Sequence, residues 1–219
     1  MERILKITED GSHTIFVKGL EEPFHSSHGA IQESMHVFIK QGLLTVNQTS
    51  LNILELGFGT GLNAILSLKE ALRHKLKIYY HAVEKYPLKE SEFNLLNYEK
   101  LIEGLPLGIL QRMHSCPWEE AVRISDGFTL YKEKADFRSM QLPAHFNLVY
   151  YDAFSPDKQP ELWTSEVIGL VGQAADPGSI LVTYSSKGAV RRSLSSCGFD
   201  VNKVAGPPGK REMIRAVKR

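Results

Sequence analysis

Residues 52–63 read Asn52-Ile53-Leu54-Glu55-Leu56-Gly57-Phe58-Gly59-Thr60-Gly61-Leu62-Asn63, an apolar run that delivers the chain into three glycines at alternate positions. Lacking Cβ, such glycines turn sharply and let the backbone approach a ligand closely. The helical pattern that starts at Leu62 then offers free N–H groups at its first turn. In a doubly wound α/β sheet this strand-turn-helix lies at the carboxyl ends of the strands, where ligands bind. A dinucleotide-binding turn places its third glycine one position later, where Leu62 stands. Gly-x-Gly-x-Gly favours S-adenosylmethionine (SAM) over a nicotinamide cofactor, with Glu55, Gly57, Phe58, Gly59, Gly61 and Asn63 the expected cofactor contacts.

The surrounding pattern supports that sheet. Short apolar runs expected as strands at Asn52–Leu56, Ile78–Val83, Thr129–Lys134, Phe146–Tyr151 and Ile180–Tyr184 alternate with helical segments at Leu62–Arg73, Leu88–Asn97, Pro160–Gln173 and Lys187–Ser196. Two final strands, near Val201–Val204 and Arg211–Val217, are joined by Ala205-Gly206-Pro207-Pro208-Gly209, too short for a crossover helix. The last strand is therefore expected to run antiparallel to its neighbour. A seven-stranded sheet with that reversal is the class I SAM-methyltransferase, Rossmann-like arrangement. Upstream, Ile4–Thr8 and Thr14–Val17 flank a polar Gly-containing turn and predict a small β-hairpin extension. The expected division is an extension over residues 1–50, packed on the active site, and one methyltransferase unit over residues 51–219. Residues 105–129 have no clear pattern, with a helix expected around Trp118–Val122.

Two strand ends carry the candidate chemistry. A ribose-binding carboxylate is expected at the end of the second strand, about 20 residues past the turn, and Glu84 stands there beside Lys85. Asp136, just beyond the third strand, is placed either for an adenine amino group or for capping the next turn. The fourth strand ends in Asp152-Ala153-Phe154-Ser155-Pro156. Methyl transfer aligns nucleophile, methyl and sulfur in line and needs an amine nucleophile unprotonated. Asp152 is the candidate that binds cofactor and takes or orients the amine proton, and Phe154 is the candidate to pack on a base.

The 219 residues, 42% hydrophobic and 23% charged, suit one globular unit. No apolar run reaches the roughly 18 residues of a membrane span, no signal peptide is evident, and a cytoplasmic location is expected. Cys116 and Cys197 stand far apart, which suggests neither a disulfide framework nor a zinc site. His25, His28 and His36 have no metal-ligand spacing, and no metal is expected. The net charge of +1 hides a segregation. From Ser185 onward nine basic residues face two acidic ones, about +7, which leaves about −6 on the remainder. Lys187, Arg191, Arg192, Lys210 and Arg211 in that segment are candidates for RNA phosphate contacts, or simply a solvated face.

Together, Glu33-Ser34-Met35-His36-Val37-Phe38-Ile39, Gly57–Asn63, Tyr151–Pro156 with Pro160-Glu161-Leu162-Trp163, and Gly209-Lys210-Arg211-Glu212-Met213 resemble the methyltransferase of the tRNA 5-methylaminomethyl-2-thiouridine pathway. The resemblance runs from about Phe24 to the C-terminus. It implies methyl transfer from SAM to the amine of 5-aminomethyluridine at the wobble position, with the tRNA anticodon loop as partner. It places Ser26 and Glu33 over the active site, as cofactor contact and catalytic residue. Many family members carry a fused FAD-dependent oxidase domain, and the length points to a stand-alone form without it. Gln159 stands where the family usually has Asn. The same cofactor turn also serves small-molecule amine methyl- or aminopropyltransferases and non-catalytic SAM-binding proteins, and these stay as alternatives.

Overall fold

The computed structural model describes residues 2–219. The chain opens with β1 (Arg3–Ile7), β2 (His13–Val17) and β3 (Glu22–Pro23), paired antiparallel in that order. The expected hairpin is present, with a short third strand added. Then come α1 (Ala30–Ser34), one π-helical turn (Met35–Lys40), β4 (Ser50–Leu56), α2 (Leu62–His74), β5 (Lys77–Val83), α3 (Glu90–Phe93), α4 (Tyr98–Leu101) and α5 (Ile109–Ser115). The second half holds β6 (Ala121–Ser125), β7 (Phe128–Glu133), β8 (Phe146–Tyr151), α6 (Ser165–Ala174), β9 (Ala175–Thr183), α7 (Gly188–Ser196), β10 (Phe199–Ala205) and β11 (Glu212–Lys218).

The main sheet has eight strands in the order β10-β11-β9-β8-β4-β5-β7-β6. Strands β9, β8, β4, β5 and β7 are parallel, and β11 runs antiparallel between β10 and β9. The reversed last strand is thus found, inserted rather than at the edge. From β4 the chain moves to β5 on one side and later returns to β8 on the other, so the carboxyl ends of β4 and β8 flank a topological switch point.

Alternation along the strands explains why they read as unbroken apolar runs. Ile53, Tyr80, Leu148, Tyr150 and Val182 face one core with α2, whereas Leu54, Leu56, Val149, Tyr151 and Leu181 face the other with α6 and α7. On the first face Ser67 of α2 meets the Tyr150 hydroxyl at 3.1 Å.

Two expectations are corrected. Residues 118–122 are not helical: Pro117 stops the chain after α5, Glu119 adopts φ 60°, and the segment enters edge strand β6, antiparallel to β7. The Leu88–Asn97 helix shrinks to Glu90–Phe93. Asn97 instead accepts the His13 N–H (2.9 Å) and donates to the Gly11 carbonyl (2.9 Å), spending its amide on the N-terminal hairpin.

The hairpin turn is also tied to α1. The Asp10 carboxylate accepts from Thr8 Oγ1 (2.8 Å), Ser12 N (3.0 Å) and Gln32 N (3.0 Å). Burial raises its pKa, but the Ser12 and Thr8 hydroxyls and these N–H groups outweigh that and hold it below the ordinary value. Replacing Asp10 with Ala is expected to destabilise the fold by about 2 kcal/mol. Because a depressed carboxyl contributes stability above its unfolded pKa and loses it on acidification, the difference from wild type, read as denaturation midpoints, narrows as pH falls from 6 towards 3.

Candidate active site

A cavity of about 490 Å³ opens at the carboxyl ends of β4, β5 and β8. Its floor is set by the glycine turn. Gly57 takes φ 99° and Gly59 φ 48°, in the left-handed region where a side chain is strained. A Cβ on Gly57 would lie 2.5 Å from the Asp152 carbonyl oxygen, so the absent side chain lets β4 and β8 end against one another. The Asp152 N–H donates to Leu56 O at 3.0 Å, continuing that ladder.

Asp152 is held from behind. Asn63, on the first turn of α2, donates from Nδ2 to Asp152 Oδ2 at 2.8 Å and to Glu55 Oε1 at 2.9 Å. Glu55 is fully buried and does not line the cavity, so the structure puts it behind Asn63 rather than at an expected cofactor contact. Burial, then the charge of Asp152, raise its pKa well above the ordinary value. Asp152 opens to the cavity, and burial followed by the nearby Glu33 pushes its carboxyl up to about 7, against Asn63 and Lys210.

The loop after Asp152 is fixed residue by residue. Tyr184 Oη donates to Ala153 O (2.8 Å), Trp163 Nε1 donates to Phe154 O (2.8 Å), and Ser155 Oγ donates to Glu22 Oε2 of β3 (3.0 Å). Phe154 meets Phe24 edge-on, with ring centroids 5.1 Å apart.

At the other end, Glu84 accepts the Gly59 N–H at 3.1 Å and the Tyr86 N–H at 2.7 Å, so it braces the turn as well as lining the cavity. Lys85 donates to Asp136 at 2.8 Å, and Arg138 donates to it twice, at 2.9 and 2.6 Å. Arg138 foremost holds the Asp136 carboxyl far below the ordinary range. Both Lys85 and Asp136 line the cavity as expected, but as an ion pair, and Arg138 is a member that the sequence pattern did not single out.

The N-terminal segment forms the roof. Ser26, whose N–H donates to Glu33 Oε2 at 2.7 Å, and Glu33 both line the cavity. His25 joins Thr14 of β2 (3.2 Å) to Thr60 of the glycine turn (3.4 Å), and burial depresses its pKa to about 4, leaving it neutral near pH 7. Gly61 starts α2 beneath the lining, against Phe58 and His114.

The expected RNA-binding cations separate. Arg191, Arg192 and Arg211 are exposed, as is Lys187, which pairs with Asp157. Lys210 turns inward, with Nζ 2.8 Å from Glu33 Oε1 and 4.1 Å from the Tyr184 ring centroid. Tyr184, Phe24 and Glu22 are further site residues left unassigned by spacing, since only the folded sheet brings them to Asp152. Among the described residues no group of three or more His, Cys, Asp or Glu side chains is arranged to hold a metal, and no helix is long and apolar enough to cross a membrane.

SAM fits this lining. Six acidic residues (Glu22, Glu33, Glu84, Asp136, Asp152, Glu161) face three basic ones (Lys85, Arg138, Lys210), which favours a ligand with a cationic centre. Asn63, which also lines the cavity, has its Oδ1 buried without a hydrogen-bond partner.

Three comparisons agree with the geometry. The sequence model of a family described as S-adenosyl-L-methionine-dependent methyltransferase matches residues 113–219. The tRNA 5-methylaminomethyl-2-thiouridine biosynthesis bifunctional protein MnmC of Leptospira interrogans is 29% identical over 207 residues, covering 89% of this chain and 32% of that protein. Its counterpart in Azoarcus is 31% identical over 224 residues, covering 96% and 35%. The chain thus spans about a third of the length of these bifunctional relatives. The crystal structure of MnmC2 from Aquifex aeolicus superposes with a TM-score of 0.80 at 30% identity, over 100% of this chain and 70% of that one.

Replacing Gly57 with Ala would force its Cβ into the Asp152 carbonyl. The variant is expected to lose about 2 kcal/mol or more of stability, as left-handed strain and a backbone clash combine. It is also expected to bind SAM at least about tenfold more weakly, a factor of ten being about 1.4 kcal/mol, as titration calorimetry would register.

Proposed function

The chain belongs to the family of the methyltransferase MnmC2, whose members use SAM, and from that premise we propose that it methylates the primary amine of 5-aminomethyluridine, with or without 2-thiolation, at the wobble position of tRNA. The observation that carries the acceptor class is Asp152: a carboxyl at the end of β8, fixed by Asn63, facing an acidic cavity and poised near neutrality. The relatives' names supply the tRNA uridine.

SAM, when bound, supplies a methyl group on a positively charged sulfur. An alkylamine titrates near lysine, about 10.4, and arrives as an ammonium. Asp152 takes or orients that proton, and a carboxyl at about 7 is a stronger base than an ordinary aspartate. Asn63 fixes one of its oxygens, so the carboxylate keeps a single orientation. Phe24 and Phe154 form an edge-to-face wall against which an unstacked base packs. An acidic cavity repels phosphate, so the anticodon backbone lies outside it, over Arg191, Arg192 and Arg211. In this reading residues 1–50 act as an extension that roofs a methyltransferase unit of residues 51–219, and the enzyme works in the cytoplasm on its tRNA.

Incubation with labelled SAM and tRNA carrying 5-aminomethyluridine, fully modified tRNA or polyamines is the direct test. Label is expected in the first alone, and transfer to polyamines alone would replace this reading with a small-molecule one. Asp152→Asn is expected to lower turnover about 100-fold or more. A carboxyl raised by folding contributes stability at low pH that is lost as pH rises through its folded pKa of about 7. The Asn variant therefore melts above wild type at pH 8, with the gap closing towards pH 5.

A further inference from the structure

Lys210 stands apart from the other basic residues of the C-terminal segment because its ammonium points into the cavity. The hairpin tip between β10 and β11 holds it there: its N–H donates to the carbonyl of Pro207, itself buried, at 2.9 Å. The His28 ring occupies the space a Cβ on Gly209 would fill, 2.3 Å from that position. His36 Nε2 meets Ala205 O at 2.8 Å. The tip is thereby clamped to the N-terminal segment, and Lys210 Nζ meets Glu33 Oε1 at 2.8 Å across the face of Tyr184.

Without Lys210, the acceptor side of the cavity would hold Glu33 and Asp152 both uncompensated, beside Glu22, whose carboxylate accepts from Ser155. Two nearby anions resist joint ionisation, and both favour the protonated form of an amine brought between them. That is the wrong direction for a nucleophile that has to give up its proton. A cation paired with one carboxylate removes the excess while leaving the other free. We propose that Lys210 is a positioning residue whose ammonium cancels the charge of Glu33, so that the acceptor amine meets Asp152 without the added negative charge of Glu33. This rests on the amine-methylating reading above.

The charged and titratable groups around Asp152 limit what else sets its behaviour. Glu33 comes from α1, Lys210 from the hairpin tip and Tyr184 from the end of β9, with Glu55 of β4 and Tyr80 of β5 behind Asn63. Asp152, then Glu22, Glu33 and Asp157 act on Tyr184. Glu33 raises the Asp152 carboxyl and Lys210 lowers it. Removing one or the other therefore shifts the active form in opposite directions, which loss of a merely structural bridge does not do.

The test is the pH dependence of single-turnover methylation of tRNA bearing 5-aminomethyluridine, with SAM saturating, for the full chain and four variants. With Lys210→Met the acidic limb is expected to move up by about one pH unit, with about fivefold loss of rate at pH 7. Glu33→Gln is expected to move the limb down, and the double variant Glu33→Gln/Lys210→Met returns it near the wild-type position. Lys210→Arg keeps the charge and the wild-type limb. Loss of rate by the same factor at every pH in Lys210→Met, an unmoved limb, or shifts of the same sign in the two single variants overturns the assignment. If Lys210→Met does not fold, the Glu33→Gln and Lys210→Arg profiles decide alone: a downward shift in the first with an unmoved limb in the second supports it, and any other pair overturns it. Failure of the wild-type chain to methylate this tRNA refutes the substrate reading instead.

Discussion

The site depends on two parallel strands ending in step. β4 and β8 pair up to Leu56 and Tyr151, the next N–H of β8 still donates to Leu56 O, and the chain then departs in two directions. Gly57 turns across the Asp152 backbone at a separation no side chain would permit. One missing methyl group thus brings the glycine turn and the Asp152 carboxyl to the same point. Asn63 converts that proximity into orientation, because one amide nitrogen bonds both Asp152 and Glu55. The acid behind is sealed, with its pKa raised well above the ordinary value, while the acid in front opens to the cavity with its carboxyl pushed up to about 7. The difference between two carboxyls on one amide is a difference in surroundings.

Much of this was legible in residue order because it follows from backbone geometry. The glycine spacing demanded a turn, the run Phe146–Tyr151 demanded a buried strand, and the short Ala205–Gly209 connection forbade a crossover, so the antiparallel β11 followed. Side-chain direction was not legible. Lys210 and Arg211 are adjacent in a basic segment, yet one enters the cavity and the other faces solvent, a choice made by the tip conformation and by Glu33 on a distant helix. Asp136 was expected just beyond the third strand, at a cofactor contact or a turn cap, and Arg138 two residues on folds back on it, which no spacing rule announces. Residues 105–129 failed for a different reason. An edge strand needs fewer apolar positions than a central one, and β6, with its irregular register between Arg123 and Ser125, has a weak alternation.

The N-terminal hairpin illustrates a local propensity overridden by tertiary bonds. Residues around Asn97 read as a helix on apolar spacing, but the Asn97 amide bonds two backbone groups of the hairpin turn. The same hairpin reaches the cavity through His25, which stays neutral because it is buried, and through Phe24, whose ring fills the space over Gly59. The N-terminal segment therefore supplies wall and roof, while the large sheet supplies the floor and Asp152.

The ion pair between Glu33 and Lys210 joins residues 177 positions apart in the chain. Contacts of such separation form late, since the entropy of closing so long a loop precedes any gain from the contact. During synthesis the glycine turn, Asn63 and Asp152 can all be in place while the cavity still lacks a side, until the β10–β11 hairpin emerges and docks on the N-terminal segment. A chain interrupted before Lys210 would keep the cavity's floor and lose the side that the Glu33–Lys210 pair closes.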